Sequence, residues 1–307
     1  MEINIWFWVG FNVFVLMMLA LDLWVFHKKS AIVSVKEALI WSGIWITLAF
    51  IFNVLVYNWF GEQKALEFLT GYLIEKALSV DNIFVFTIIF SYFAIPKEYQ
   101  HKVLFWGVLG ALFFRVIFIF AGVALLENFH WIIYVFGGIL IYTAYKLITG
   151  GEIKVDPEHS LVIKWVGKII PFTKVLHGDK FFIRENAKLY GTPLFMTLIF
   201  IETADLVFAV DSIPAIMAIT QDKFIIYTSN VFAIMGLRSL YFALAGIIDR
   251  FHYLPIGLSF ILAFVGTKML IIDIYKIPIH YSLVVIVTIL IMSISFSLYK
   301  TRKEIKK

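Results

Sequence analysis

Apolar stretches of about twenty residues, each long enough for a helix to cross a hydrocarbon layer of roughly 30 Å, recur along the whole chain. The composition agrees: 62% of the 307 residues are hydrophobic and 18% aromatic, against 15% charged, where soluble domains run near half apolar and a quarter charged. The expected fold is all-α and polytopic, one transmembrane domain over residues 1–307. Nine spans are predicted, at 5–26, 35–58, 66–93, 103–126, 129–148, 193–219, 224–247, 253–272 and 279–299. The first is read as a span rather than a cleaved leader, because it is long for a signal core and its basic residues, Lys28 and Lys29, follow it.

Lys and Arg are concentrated in alternate connections: His27 to Lys29 with Lys36, Lys97 and Lys102, the segment 149–192, Arg250, and the tail from Lys300 to Lys307. The positive-inside rule then predicts an outside N-terminus and a cytoplasmic C-terminus. Orientation accounts for the net charge of +5, and no basic patch interleaved with aromatics suggests nucleic acid. Within the 149–192 loop, Lys164 and Lys168 share one face of an amphipathic stretch, "SLVIKWVGKIIPF", as expected of a short helix lying on the inner leaflet. No phosphate-binding glycine loop is present. Without cysteine the chain has neither disulfides nor thiolate ligands.

Against this apolar background the carboxylates stand out. "EKALSVDNI" carries Glu75 and Asp81, and "DLVFAVDSI" carries Asp205 and Asp211. Laid together, these stretches put Glu75 on Asp205, Asp81 on Asp211 and Asn82 on Ser212. The following segments keep the order: Arg115 matches Arg238, and His130 with Lys146 matches His252 with Lys268, sixteen residues apart in both copies. Three helices repeat, 66–148 (repeat A) against 193–272 (repeat B). An odd number of spans inverts the second copy, an arrangement that places transporter substrates near the bilayer midplane. Residues 1–58 then form two peripheral helices, and 279–307 the last helix and its basic tail.

Glu202 joins the other four acids near the centres of spans three and six. A charge at a helix centre costs about 2.5–3.5 kcal/mol on the lenient insertion scale, so five uncompensated acids would cost on the order of 12–18 kcal/mol. Three cations, Lys76, Arg115 and Arg238, stand against six acids, the five above and Asp22. A divalent cation, or protons exchanged for it, would close the deficit. Carboxylates, the Asn82 amide oxygen and the Ser79 and Ser212 hydroxyls are hard donors suited to Mn²⁺, Ca²⁺ or Mg²⁺. The seven histidines lie in loops or near span ends, away from such a site. Residues six apart do not share a helical face, so either the helix opens or the acids serve different faces; Pro214, which removes a hydrogen bond to Val210, is the expected place for opening. Lys76 is read as a salt-bridge partner of Glu75 or as a group that metal displaces. Arg115 and Arg238 are read as holding the acids or snorkelling, and Asp22 as an interfacial or a site residue.

At these residues the chain resembles the TerC/Alx family of integral membrane proteins, in "ALDLWVFHKK" (20–29), "EKALSVDNIFVF" (75–86), "HGDKFFIRENAKLYGTPLF" (177–195) and "IETADLVFAVDSIPAI" (201–216). The resemblance implies a nine-span bacterial inner-membrane protein related to LysE-type exporters. Alx-like members are associated with manganese efflux, and the family name comes from tellurite-resistance operons. Carried over by motif, Glu75, Asp81, Glu202, Asp205 and Asp211 become metal-site acids, with Asn82 and Ser212 supporting. The function expected is Mn²⁺ export, with Ca²⁺ a possible cargo, protons a possible counter-ion and no prosthetic group. The alternative is a non-transporting membrane component of a tellurite-resistance or secretion-associated complex. An enzyme is not expected, since no nucleophile–base arrangement is visible, and no protein partner is indicated.

Overall fold

The computed structural model describes residues 4–26, 34–149, 161–185, 188–245 and 253–305, with side chains at all of these except 22–26, 81, 161, 164 and 301–305. Helices dominate: α1 (Ile5–Phe26), α2 (Val35–Phe60), α3 (Glu62–Tyr92), α4 (Lys97–Asn128), α5 (Ile132–Ile148), α6 (Leu161–Ile169), α7 (Pro193–Met217), α8 (Lys223–Met235), α9 (Leu237–Leu244), α10 (Leu254–Leu270) and α11 (Ile279–Ile305). Their ends follow from local chemistry. The Ser34 hydroxyl accepts from Glu37 N to start α2, and the Asp222 carboxylate accepts from Phe224 N (3.0 Å) and Ile225 N (3.3 Å) to start α8, satisfying amides that the helix itself leaves unbonded. Between α2 and α3, Gly61 takes φ 87°, a conformation that costs glycine little.

Among the described residues, four helices are long and apolar enough to cross a membrane by length and composition: Val35–Phe60, Lys97–Asn128, Pro193–Met217 and Ile279–Lys300. The remaining predicted spans differ from these for physical reasons. Helix α3 is long enough at 31 residues, but Glu62, Lys64, Glu67, Glu75, Lys76 and Asp81 lower its hydropathy. Helices α5 and α10 have 17 residues each, about 25 Å at 1.5 Å per residue, and α1 is apolar over Ile5–Leu21. The span expected at 224–247 is interrupted at Gly236, which separates α8 from α9.

The chain is not purely helical. Strands β1 (Phe182–Glu185) and β2 (Lys188–Gly191) form an antiparallel hairpin in which Phe182 pairs with Gly191 and Glu185 with Lys188. This hairpin lies in the 149–192 segment and adds a small sheet to the mostly helical fold expected from the sequence. It is pinned by rings rather than by a long ladder: Phe182 and Phe195 lie 4.3 Å apart, and a Cβ on Gly191 would meet the Phe172 ring at 2.9 Å. Helix α6 forms where the amphipathic stretch predicts it, exposing Trp165 and Ile169, with the Lys168 ammonium 5.1 Å from the Trp165 ring centroid. The side chain of Lys164 lies outside the described residues.

Lys102 of α4 ties the hairpin region to the bundle, donating to the Asp179 carboxylate at 2.8 Å and its backbone carbonyl at 2.6 Å. The hydrogen bond from Lys102 holds the Asp179 carboxyl below its ordinary range. A depressed acid contributes stability above its unfolded pKa and loses it as pH falls through the folded value. Asp179→Asn is therefore expected to cost under about 1 kcal/mol at neutral pH, since the pair is solvated. In acid-to-neutral unfolding series of the purified protein, the gap between parent and variant should close at the acid end.

Helix α3 packs on α7 and α8, α4 on α7 and α8, and α5 along α10; α2 covers α3 and α9, and α11 lies against α10 and α3. The α5–α10 contact is close because both partners are glycine. A Cβ on Gly137 would sit 3.0 Å from the Gly266 carbonyl oxygen, and one on Gly266 2.9 Å from that of Gly137. Small residues allow such backbone approach in membrane helices. The buried core is continuous through α3, α4, α7, α8 and α10, and the charged residues described next lie inside it.

Candidate functional site: an arginine-bridged acid pair

Three neighbouring helices each contribute one charged side chain to a shared point. Glu75 of α3, Arg115 of α4 and Asp205 of α7 are 1%, 2% and 3% exposed. Arg115 pairs with Glu75 through Nη1. It also clasps Asp205 with two nitrogens, Nη2 to Oδ1 at 3.1 Å and Nε to Oδ2 at 3.3 Å. This fork matches the planar carboxylate in a way an ammonium could not. Arg115 Nη1 also donates to the Ser212 hydroxyl at 3.3 Å. Two amides complete the carboxylate shell: Asn82 Nδ2 donates to Asp205 Oδ1 at 3.3 Å and Asn230 Nδ2 to Glu75 Oε2 at 3.0 Å. The Ser79 hydroxyl donates to the Glu75 backbone carbonyl, which makes it local support.

The bridge offsets much of the burial cost by pairing charges within a low-dielectric interior, where attraction is strong only with good geometry. It also leaves acceptors without donors. Among the described residues, the buried Asn82 Oδ1, Asn230 Oδ1 and Glu202 Oε2 find no hydrogen-bond partner. Buried oxygens of this kind call for a water or a cation. Glu202 sits one turn before Asp205, with its carboxylate pressed against Gly110 of α4, where any Cβ would collide with it.

Asp211 is not part of this cluster. It accepts from the Thr143 hydroxyl of α5 at 2.8 Å, on another face of α7. Of the two alternatives that the six-residue spacing leaves, different faces is the one the structure adopts. The opening expected at Pro214 does not occur, because α7 runs without a break from Pro193 to Met217. Pro214 lies in the last turn, so the donor it denies Val210 disturbs only the end of α7, three residues before Met217.

The interruption lies instead at Gly236. There the Lys76 ammonium donates to the Ala233 carbonyl at 3.2 Å, so Lys76 holds the C-terminal end of α8 and forms no ion pair with Glu75 among the described contacts. A cation at that end also complements the helix dipole. Arg238, at the start of α9, is 5% exposed and lies 6.0 Å from the Phe105 ring centroid; it does not snorkel. With Asp205, Gly107 and Ile201 it lines a narrow cavity beside the acid pair. The side chains of Asp81 and Asp22 lie outside the described residues. Among those described, no three His, Asp or Glu side chains converge as a metal cage, since the guanidinium of Arg115 stands between the two central acids.

Sequence reasoning missed several participants. Asn230 is a lone amide within "IIYTSNVFAIM" and is fully buried; that isolation was its signal. Gly110 and Thr143 carried none, since their roles exist only across helices. Glu67 was missing from the count of buried acids. It is 6% exposed and accepts from Lys64 at 3.0 Å and Thr220 at 2.6 Å, far along α3 from Glu75. Lys268 was missing from the count of cations; it too is buried and donates to the Ser282 hydroxyl at 3.0 Å.

Residues 60–305 match the model of the integral membrane protein TerC family. An uncharacterized membrane protein, STKORF319 of Myxococcus xanthus, is 54% identical over 295 residues, 96% of this chain and 92% of that protein. A protein of Escherichia coli K12 with the provisional name membrane-bound redox modulator Alx is 45% identical over 296 residues, 93% of this chain and 92% of its own length. An uncharacterized membrane protein of Rickettsia bellii is 45% identical over 293 residues, covering 95% and 97% of the two chains. No solved structure matches. With nearly the whole chain matched and several candidate spans present, the chain belongs to the TerC family of integral membrane proteins.

Proposed function

We propose that this protein is a secondary transporter that exports a divalent cation, Mn²⁺ in the first instance and Ca²⁺ as the competing cargo, across the bacterial inner membrane. The observation that carries the reading is the buried acid pair of Glu75 and Asp205, bridged by Arg115 and flanked by the donor-free oxygens of Asn82, Asn230 and Glu202. These are hard oxygen donors of the kind such ions prefer. In the bridged state Arg115 stands in for the cargo. An arriving cation competes for the same carboxylates, and the guanidinium returns to them when it leaves, so the acids are never left uncompensated. Asp211 and Asp81 would serve a later station or proton exchange.

The packing supports the inverted-repeat part of this reading. If α3, α4 and α5 correspond to α7, α8–α9 and α10, a two-fold axis in the membrane plane relates the α3–α8 contact to the α4–α7 contact and runs through the α5–α10 pair. Those are principal contacts of the bundle. Nine spans with the N-terminus outside are the reading that the apolar stretches and the basic loops support.

The test is flux in proteoliposomes. Mn²⁺ should accumulate above the level of empty vesicles, and Asp205→Asn should remove the excess while leaving elution and helicity intact. Flux equal to empty vesicles with a folded parent protein would count against transport.

One observation favours a second reading, in which the protein is a non-transporting membrane component: the Arg115 bridge also satisfies a static polar core. Under that reading, Asp81→Asn with Asp211→Asn leaves cellular manganese unchanged. The redox role in the name of the Alx relatives cannot reach this chain through a thiol, because it has no cysteine; an altered manganese level would be an indirect route.

A further inference from the structure

A second candidate site lies away from the acids. Helices α1, α2 and α8 enclose a pocket of about 480 Å³. Its floor is formed by buried Phe11, Phe224 and Phe232, and its outer wall by exposed Trp6, Ile51 and Trp59. All twelve lining residues are Trp, Phe, Leu, Ile or Gly, so the only side-chain polar atoms are the two indole N–H groups. The walls are braced by ring contacts, with Phe52 5.0 Å from Phe232, Phe11 5.4 Å from Phe52, and Phe7 5.1 Å from Phe60. A pocket held open by interlocked rings does not collapse.

Water does not stabilise such a space, since it would find almost no polar partners there. Hydrocarbon does. Its outer residues Trp6, Ile51 and Trp59 are exposed on two apolar helices, α1 and α2, and dispersion contact with rigid aromatic walls replaces what a void would forfeit. Trp6 and Trp59 stand at the N-terminal end of α1 and the C-terminal end of α2, giving one polar-edged end to an otherwise apolar slot. This gradient matches a lipid, with its chain inside and its ester region near the indoles.

We propose that this pocket is a binding site for one acyl chain of a membrane phospholipid. Gly10 gives the means to test it. It lines the pocket, and its added Cβ would meet nothing within 4 Å, so the backbone there has room for a side chain to begin. Native mass spectrometry of the full-length protein, released gently from membranes, should show one retained phospholipid per chain. Gly10→Phe should lose it, with an unchanged melting temperature in lipid-free detergent. Should Gly10→Phe fail to fold, Ile51→Trp fills the same space from α2 and carries the same expectation. Retention should not change between phosphatidylethanolamine and phosphatidylglycerol of equal chain length. A parent protein with no retained lipid, a folded filled variant with undiminished retention, or retention that follows the headgroup would each overturn the proposal.

Discussion

Arg115→Gln is expected to be among the most destabilising single substitutions in the chain, costing about 3–5 kcal/mol, because it removes one partner of a buried charge pair and leaves the others uncompensated. Two carboxylates depend on this side chain, Glu75 and Asp205, together with the Ser212 hydroxyl. Unfolding of the purified protein in detergent would measure the loss. Arg115→Lys should recover only part of it, since an ammonium cannot make the two-nitrogen clasp on Asp205. The sharper check is the double variant Arg115→Gln/Asp205→Asn. Removing both charges leaves one acid without its partner rather than two, so the double variant should be more stable than Arg115→Gln alone. If the two losses simply add, the bridge is not the unit described here.

Gly266→Val should separate α5 from α10. The Gly266 Cβ position is 2.9 Å from the Gly137 carbonyl oxygen and 2.9 Å from Ile141 Cγ1. The first of these is backbone and cannot swing aside, and a branched side chain enlarges the overlap. Overpacking costs typically about 1–3 kcal/mol where side chains can adjust, and here the adjustment must be a shift of a whole helix. Loss of a monodisperse species is expected alongside a lowered melting temperature. Gly138→Ala is the matched control. Its neighbouring position on α5 has nothing within 4 Å, so the variant should be neutral or gain up to about 1 kcal/mol from helix propensity. Equal effects at the two positions would rule out the close approach.

The sequence and the structure part company where a feature depends on a second helix. The predicted spans 35–58 and 193–219 lie within two residues of α2 and α7, because a run of apolar residues bounded by polar ones is read along one segment. The acids of α3 and α7 were legible for the same reason, as polar residues in apolar surroundings. Their grouping was not. Asp205 and Asp211 look alike in sequence, yet one meets Arg115 and the other Thr143, and only the rotation of α7 within the bundle decides that. Pro214 misled because its cost depends on its distance from the helix end. Gly236 went unremarked because glycine is common in membrane helices, and the carbonyl its interruption offers is answered by Lys76 from another helix. The hairpin at Phe182–Gly191 was hidden by brevity: four residues per strand give little alternation to detect.

Glu75 and Lys76 are consecutive residues, and both reach α8. The first accepts from Asn230, and the second donates to Ala233, three positions apart and so on one side of that helix. Fastened at two points, α8 cannot roll on α3 without breaking both. The fastening stops short of Gly236. Helix α9, past that glycine, lies outside this fastening, and it carries Arg238 beside Asp205.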